Sequence, residues 1–221
     1  MYWIEENNSD NNNSDTIDYT FNINCKEIPI DHIYQLSKSI EKILPWITSN
    51  TGLHHIHCPA EGNGWERPSS THNTNTIQLS KRTKLKLRIP SSRLNDIKKL
   101  SSQTIFIDGY PIIINNGNYK PVTPHETLFS RFIPYNPEAS EEEFIQLFAQ
   151  KLQEHDIIPK KILCGKTNSF QFPDKTISTR SIMIANLNNE NSLRLQQIGY
   201  GTMQHFGFGI FIPHKDINAD R

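Results

Sequence analysis

The chain is poor in cysteine and has no long apolar run. Its 221 residues include three cysteines, Cys25, Cys58 and Cys164, which lie far apart and are odd in number. This spacing argues against a disulfide framework and favours a reducing compartment. The opening residues, MYWIEENNSDNNNSD, have neither the basic segment nor the apolar core of a signal peptide, and no apolar run is long enough to span a membrane. We therefore expect a soluble, cytoplasmic protein with no membrane partner.

The chain also lacks net charge, but its charges are unevenly distributed. Twenty-three basic side chains balance twenty-three acidic ones. Residues 1–18 carry only acidic charges among many Asn and Ser residues, which predicts an acidic disordered tail. Residues 81–99 are strongly basic. Such a block is most often a solvated surface, and its spacing decides whether it has a further role.

The segment KLKLRIP, residues 84–90, alternates cations with apolar side chains. A strand here would bury the leucines and the isoleucine and direct the cations to its opposite face, where they would suit a phosphate backbone. A looser basic group follows in the C-terminal half. The cations predicted to contact a nucleic-acid backbone are Lys81, Arg82, Lys84, Lys86, Arg88, Lys166 and Arg180.

Hydrophobic periodicity predicts an α+β fold. Tyr19–Ile28 alternates as a strand, and Asp31 opens a helix whose apolar stripe ends before Pro45. Strands at 52–58 and 76–89, a helix at 91–102 and a strand or strand pair at 104–115 follow. The order is therefore strand, helix, strand, strand, helix, strand.

The same order begins again after residue 126. A strand at 127–133 precedes a helix opened by a capping box at Ser140 and Glu143, and a hairpin turns at Pro173-Asp174. A helix at 189–198 and a strand at 209–213 complete it. We predict two tandem ferredoxin-like βαββαβ domains with antiparallel sheets, over 19–116 and 127–215.

A glycine-rich loop, GYGTMQHFGFG, connects the last predicted helix to the last strand. A helix end and a tight turn need fewer than four glycines. Additional glycines permit positive φ angles and let backbone N–H groups approach a phosphate closely. The loop either binds a phosphate group, with Gly201, His205 and Gly207 as the candidate contacts, or is only a turn.

The segment HHIHC, residues 54–58, raises the question of a zinc site, with His72 as a more distant ligand. Neighbouring residues of a strand point to opposite faces, so these side chains would not converge on one ion. We predict neither a metal site nor a cofactor.

Three segments resemble the CRISPR repeat-cleaving endoribonucleases of the RAMP superfamily, in particular a short variant subfamily of myxococcal-type interference systems. They are IPIDHIYQLSKSIEKILPW (28–46), GLHHI (52–56) and SLRLQQIGYGTMQHFGFGIFIP (192–213). The resemblance covers nearly all of residues 19–215. It implies tandem ferredoxin-like domains that bind CRISPR repeat RNA and cut precursor CRISPR RNA without metal, by attack of a 2′-hydroxyl on the adjacent phosphate.

The resemblance also implies that the product stays bound within a type I interference complex, with its other subunits as partners. Its motifs place the catalytic candidates at His32, His54 and Tyr34. His32 would transfer the proton, and His54 matches a Gly-Ile-His segment of the family. Tyr34 would orient the nucleophile or only pack. Two alternatives remain: a noncatalytic RNA-binding subunit of a CRISPR complex, and an unrelated basic RNA-binding adaptor.

Overall fold

The computed structural model describes residues 15–49, 51–56 and 75–214. The N-terminal half contains β1 (Thr16–Asn24), β2 (Glu27–Pro29), α1 (Ile33–Glu41), β3 (Gly52–Leu53), β4 (Thr76–Gln78), β5 (Lys84–Pro90), α2 (Leu94–Ile97), β6 (Thr104–Ile107) and β7 (Tyr110–Pro121). The C-terminal half contains β8 (Leu128–Pro134), α3 (Glu141–Gln153), β9 (Lys161–Gln171), β10 (Thr176–Ala185), α4 (Asn189–Ile198) and β11 (Ile212–Pro213). Within these described ranges, no helix combines the length and apolar character needed to cross a membrane.

Two antiparallel sheets confirm the predicted α+β class. The C-terminal sheet has the strand order β11-β8-β10-β9, which is the order of a ferredoxin-like βαββαβ unit. The N-terminal sheet has the order β3-β5-β1-β7-β6, and a short ladder joins β2 to β4. In the N-terminal sheet β1 lies between β5, which precedes α2 in the chain, and β7, which belongs to the hairpin β6-β7 that follows α2.

The β6-β7 hairpin has a local cause. Its two-residue turn consists of Asp108 and Gly109, and both have positive φ, 48° and 87°. A turn of this kind matches the right-handed twist of two paired strands, and Asp-Gly is among its preferred sequences.

The first strand begins earlier than the sequence predicts. Residues Thr16–Asp18, assigned to the disordered tail, pair in β1 with Arg88–Pro90 of β5, because Ile17 is buried and Asp18 is held by cations of β5. Residues 1–14 lie outside the described ranges. The domain limits at 116 and 127 stay predictions.

Helix α1 packs its predicted apolar stripe against the N-terminal sheet, with Ile33, Leu36 and Ile40 buried. Its N-cap is His32, not Asp31. The Asp31 carboxylate instead accepts a hydrogen bond from the backbone N–H of Gln171 at 3.2 Å, which ties the start of α1 to the C-terminal half. In α3, by contrast, the predicted capping box is confirmed, because Ser140 and Glu143 exchange side-chain to backbone hydrogen bonds.

The two halves share part of one core. The N-terminal cluster of buried side chains includes Phe132, Phe170 and Phe208, which come from the C-terminal half. A second cluster fills the space between α3, α4 and the C-terminal sheet. Because these aromatic side chains cross the boundary, the two halves are packed against each other.

Candidate nucleic-acid interface and active site

A cleft of about 700 Å³ lies between the N-terminal sheet and the glycine-rich loop. One wall is formed by Thr51, Gly52 and Arg88, and the other by the end of α4 and by Gly201 and Gln204 of the loop. The cleft is therefore built from both halves of the chain, and it brings the basic strand β5 next to the loop.

Arg88 forms a structural bridge at the floor of this cleft. Its Nε donates to Asp18 Oδ1 at 2.8 Å and its Nη2 to Asp18 Oδ2 at 3.0 Å. Its Nη1 donates to the backbone oxygens of Gln196, at the end of α4, and of Phe211. The side chain is 5% exposed. This corrects the expectation that Arg88 contacts RNA, since its donors are directed to groups within the protein.

Asp18, the partner of Arg88, is contacted by further basic side chains. Lys86 Nζ lies 2.7 Å from Asp18 Oδ2, and His54 Nε2 lies 3.9 Å from Oδ1. Burial alone would raise the pKa of the Asp18 carboxyl, but the hydrogen bonds and charge of Arg88, with the charges of His54 and Lys86, hold that pKa well below its usual range. Asp18 is therefore ionised at neutral pH and faces His54.

His54 belongs to the segment that follows β3, and it lines a second, smaller pocket instead of the cleft. Its backbone N–H donates to Lys86 O at 3.0 Å, and its side chain is 16% exposed. A small pocket of about 40 Å³ places it beside Arg131 of β8 and Gly207 of the loop. His54 thus lies near the Asp18 carboxylate and beside Arg131, where the two halves join.

His32 has a different environment from the one predicted. The ring is 2% exposed, its Nδ1 lies 3.0 Å from Pro29 O, and its Nε2 lies 3.2 Å from the backbone N of Ile56. Since the carbonyl must accept and the amide must donate, the proton belongs on Nδ1. Both nitrogens then bond to the backbone, which corrects the expectation that His32 transfers a proton to or from RNA. Its contact with Ile56 fixes the segment that carries His54.

Gly207 is required for packing. Its φ is 81°, and a Cβ there would collide with the His55 ring and lie 2.6 Å from Leu53 O. The His55 ring is buried among the rings of Phe132, Phe170 and Phe208. The absence of a side chain at Gly207 therefore makes room for His55, and the phosphate contact predicted for Gly207 stays a prediction.

Gly201 differs from Gly207 in having open space around it. Its φ is 77°, and no atom lies within 4 Å of where a Cβ would be. Gln204 Nε2 donates to Gly201 O at 2.8 Å and to Ile198 O at 3.0 Å, so the loop is braced from within. The backbone at Gly201 can therefore be approached from the cleft.

A second group of polar side chains lies between α1 and the loop. Tyr34 stacks on Phe206, with ring centroids 5.7 Å apart, and also contacts Phe172. Lys38 pairs with Glu41 at 2.8 Å, and burial and the charge of Lys38 lower the pKa of His205. Tyr34 therefore packs, and His205 is neutral at neutral pH beside a cation. The sequence analysis missed Lys38, whose position one helical turn after Tyr34 is the available signal.

The remaining predicted cations differ in availability. Lys81, Arg82, Lys84 and Lys166 are exposed, and Lys84 donates to Asn22 of β1. Arg180 is 16% exposed, pairs with Glu141 at 3.2 Å and lies over the rings of Tyr135 and Phe144. This corrects the prediction for Arg180, whose side chain is used to dock α3 on the C-terminal sheet.

The family model for Cas6, described as Cas6 Crispr, matches residues 17–216. The chain belongs to the Cas6 family. The resemblance inferred from its three segments is thereby confirmed.

Individual Cas6 relatives are distant in sequence. The CRISPR-associated endonuclease Cas6 of Myxococcus xanthus (strain DK1622) is 22% identical over 197 residues, which cover 89% of this chain and 81% of that one. A solved CRISPR associated protein Cas6 superposes with a TM-score of 0.60 at 10% identity, over 90% of this chain and 100% of the other. The product of a Cas6-related gene from Pyrococcus furiosus gives 0.57 at 11% identity, over 93% and 100%. These structures share the fold of this chain.

The histidines of residues 54–58 have different neighbours in this Cas6-family chain. His54 lies beside Asp18, whereas the His55 ring packs among the phenylalanines of the core. Across residues 15–49, 51–56 and 75–214, no three His, Cys, Asp or Glu side chains are grouped so as to hold a metal ion. His57, Cys58 and His72 lie outside these ranges.

Proposed function

We propose that this Cas6-family chain is a CRISPR RNA-processing endoribonuclease that binds repeat RNA in the cleft and cuts it without metal. Family membership supports RNA processing, and the arrangement around His54 supports the finer chemistry. The observation that carries the proposal is that His54, from the motif segment, lies beside the ionised Asp18 and shares a pocket with Arg131 and Gly207.

The reaction requires few groups. The 2′-oxygen of one nucleotide forms a bond to the adjacent phosphorus, and the bond from that phosphorus to the 5′-oxygen of the next nucleotide breaks. The products are a 2′,3′-cyclic phosphate and a 5′-hydroxyl. One proton leaves the attacking hydroxyl and one is added to the leaving oxygen, while charge builds up on the phosphoryl oxygens.

In this proposal His54 transfers a proton, and Asp18 orients the imidazole and stabilises its charged form. Arg131 and Lys86 neutralise the phosphoryl oxygens. Burial lowers the pKa of Arg131, but a guanidinium starts far above neutrality and stays charged. Gly201 allows a phosphate to approach the loop backbone, since its Cβ position is open.

The group at α1 offers a second candidate site for the same reaction. His205 is neutral, lies beside Lys38 and follows the open glycine. It would take over proton transfer if the scissile phosphate lay on the α1 side of the loop. Tyr34, which stacks between the two halves, positions the loop in either case.

Single-turnover cleavage of RNA carrying the repeat of the host array tests the proposal. We expect His54→Ala to lose about a hundredfold or more in rate. We expect a chelator to have no effect, and a 2′-deoxy substitution at the scissile nucleotide to abolish cutting. His155→Ala is the matched control, since His155 is exposed at the end of α3.

The possible outcomes separate the alternatives. Wild-type cleavage by His54→Ala together with a loss in His205→Ala would move the site to α1. Repeat binding without cleavage by the unaltered chain would favour the noncatalytic RNA-binding subunit. We also propose that the product stays bound and that other subunits of a type I complex join it, which co-elution of cleaved RNA with the protein would test first.

A further inference from the structure

The outer face of the N-terminal sheet carries lysine, amide and exposed apolar side chains. The opposite face of this sheet is buried, and alternation places Asn22 and Asn24 of β1 outward. Strand register places Lys84 beside Asn22, and Ile113 beside Asn24. On the edge hairpin Thr104 lies beside Ile113, and Phe106 beside Pro111. We call this surface the open face, formed by Lys84, Lys86, Thr20, Asn22, Asn24, Asn118, Ile113, Thr104, Pro111 and Phe106.

Two side chains of the open face break the usual polar pattern of a solvated sheet surface. Phe106 is 61% exposed and Ile113 is 42% exposed. The outward residues of β1 are polar, as expected for a sheet with one wet face. Large apolar side chains that neighbour one another in such a surface indicate a binding site more often than isolated ones do.

The charge of the open face is positive. Lys84 and Lys86 project from β5, and Lys120 of β7 lies opposite Asp18. Asp18 is the acidic residue at this end of the ladder, and Arg88 and Lys86 already compensate its charge. A polyanion is therefore attracted to the lysine side of the face.

The cations and the aromatic ring are spaced along a diagonal. Lys84 and Phe106 are about 20 Å apart. Strand β5 lies three interstrand spacings from β6, and Phe106 lies about four residues farther along the strand direction than Asn22, the partner of Lys84. Amide side chains fill the space between them. Cations that follow a backbone, amides that reach base edges and an exposed ring that stacks a base are the features of a single-strand binding surface.

We propose that the open face binds a single-stranded segment of RNA, with Phe106 stacking a base and Lys84 contacting phosphate. The inference rests on the proposed function in one respect. Lys86 of the open face pairs with Asp18, which pairs with Arg88 in the lining of the cleft, so the same RNA would run from the cleft across the sheet. It differs from that function in needing neither cleavage nor the repeat sequence.

The test uses the full chain and a fluorescent twelve-nucleotide oligouridylate, with a twelve-base-pair RNA duplex as the comparison probe. Phe106→Ala should weaken oligouridylate binding about tenfold and leave duplex binding unchanged. Phe106→Trp should restore it, whereas Phe106→Leu should not, because stacking needs a π face. Lys84→Ala should reduce the salt slope by about 0.7.

Leu163→Ala is the matched control, since Leu163 is 48% exposed on the edge strand β9 of the other sheet. It should bind oligouridylate as the unaltered chain does. Wild-type oligouridylate binding by Phe106→Ala, or full restoration by Phe106→Leu, would overturn the inference and leave a protein-docking surface as the better interpretation. Failure of the proposed function would appear elsewhere, in cleavage of repeat RNA by His54→Ala.

Discussion

Replacing Arg88 by methionine tests the claim that this residue joins the two halves. Methionine keeps the length and apolar stem but removes the guanidinium, which contacts Asp18, Gln196 O and Phe211 O. Breaking a buried ion pair by removing one partner costs about 3–5 kcal/mol. Lys86 still contacts Asp18, and the Asp18 side chain is 14% exposed, so we expect the lower end, about 3 kcal/mol. For a domain of this size, that loss lowers Tm by about 6–12 °C.

The assay is urea and thermal unfolding of the unaltered chain, Arg88→Met, Asp18→Asn and the double variant. The two single losses should not add, because both break one interaction. Because the pKa of Asp18 is lowered in the folded state, the direction in which stability changes with pH follows. The ionised Asp18 carboxylate stabilises the fold fully above the ordinary carboxyl pKa of about 3.9, and this stabilisation is lost as the pH falls through the lower pKa of the folded state. The free energy of unfolding of Asp18→Asn should therefore differ from that of the unaltered chain most at neutral pH. A loss below about 0.5 kcal/mol in Arg88→Met, accompanied by a smaller salt slope for RNA binding, would refute the structural role and restore Arg88 to the RNA surface.

Three further outcomes are expected. Gly207→Ala should lower the free energy of unfolding by more than 1 kcal/mol, because its positive φ and the nearby His55 ring leave no room for a Cβ; native stability with weaker RNA binding would instead favour a phosphate contact. Lys84→Ala should weaken RNA binding evenly across sequences, and a sequence-selective loss would count against a backbone contact. Ser140→Ala should cost about 1 kcal/mol in urea unfolding through loss of the α3 cap, with Ser169→Ala on the exposed edge strand as the control.

Local patterns predicted much of the fold because they depend on near neighbours. The alternation in KLKLRIP places Leu85, Leu87 and Ile89 in the core, and all three are buried. The capping box at Ser140 is formed as its spacing indicates. The start of β1 was missed, since Thr16–Asp18 continue an acidic, polar segment and are held in the sheet by strand β5, which lies far along the chain.

Patterns in the sequence were enough to predict the class of fold, the family and most of the candidate site residues, although not Lys38 or Arg131. Which of the candidates remain available depends on contacts between distant parts of the chain. Lys84 and Arg88 have the same place in one alternating pattern, yet Lys84 is exposed and Arg88 bonds to Asp18, 70 residues away, and to Phe211, 123 residues away. His32 and His54 differ in the same way, because His32 bonds to the backbone at Ile56 while His54 lines the small pocket beside Arg131. The physical reason is that a charge or ring nitrogen is committed by whatever the fold brings within about 3 Å of it, and those partners come from distant parts of the chain.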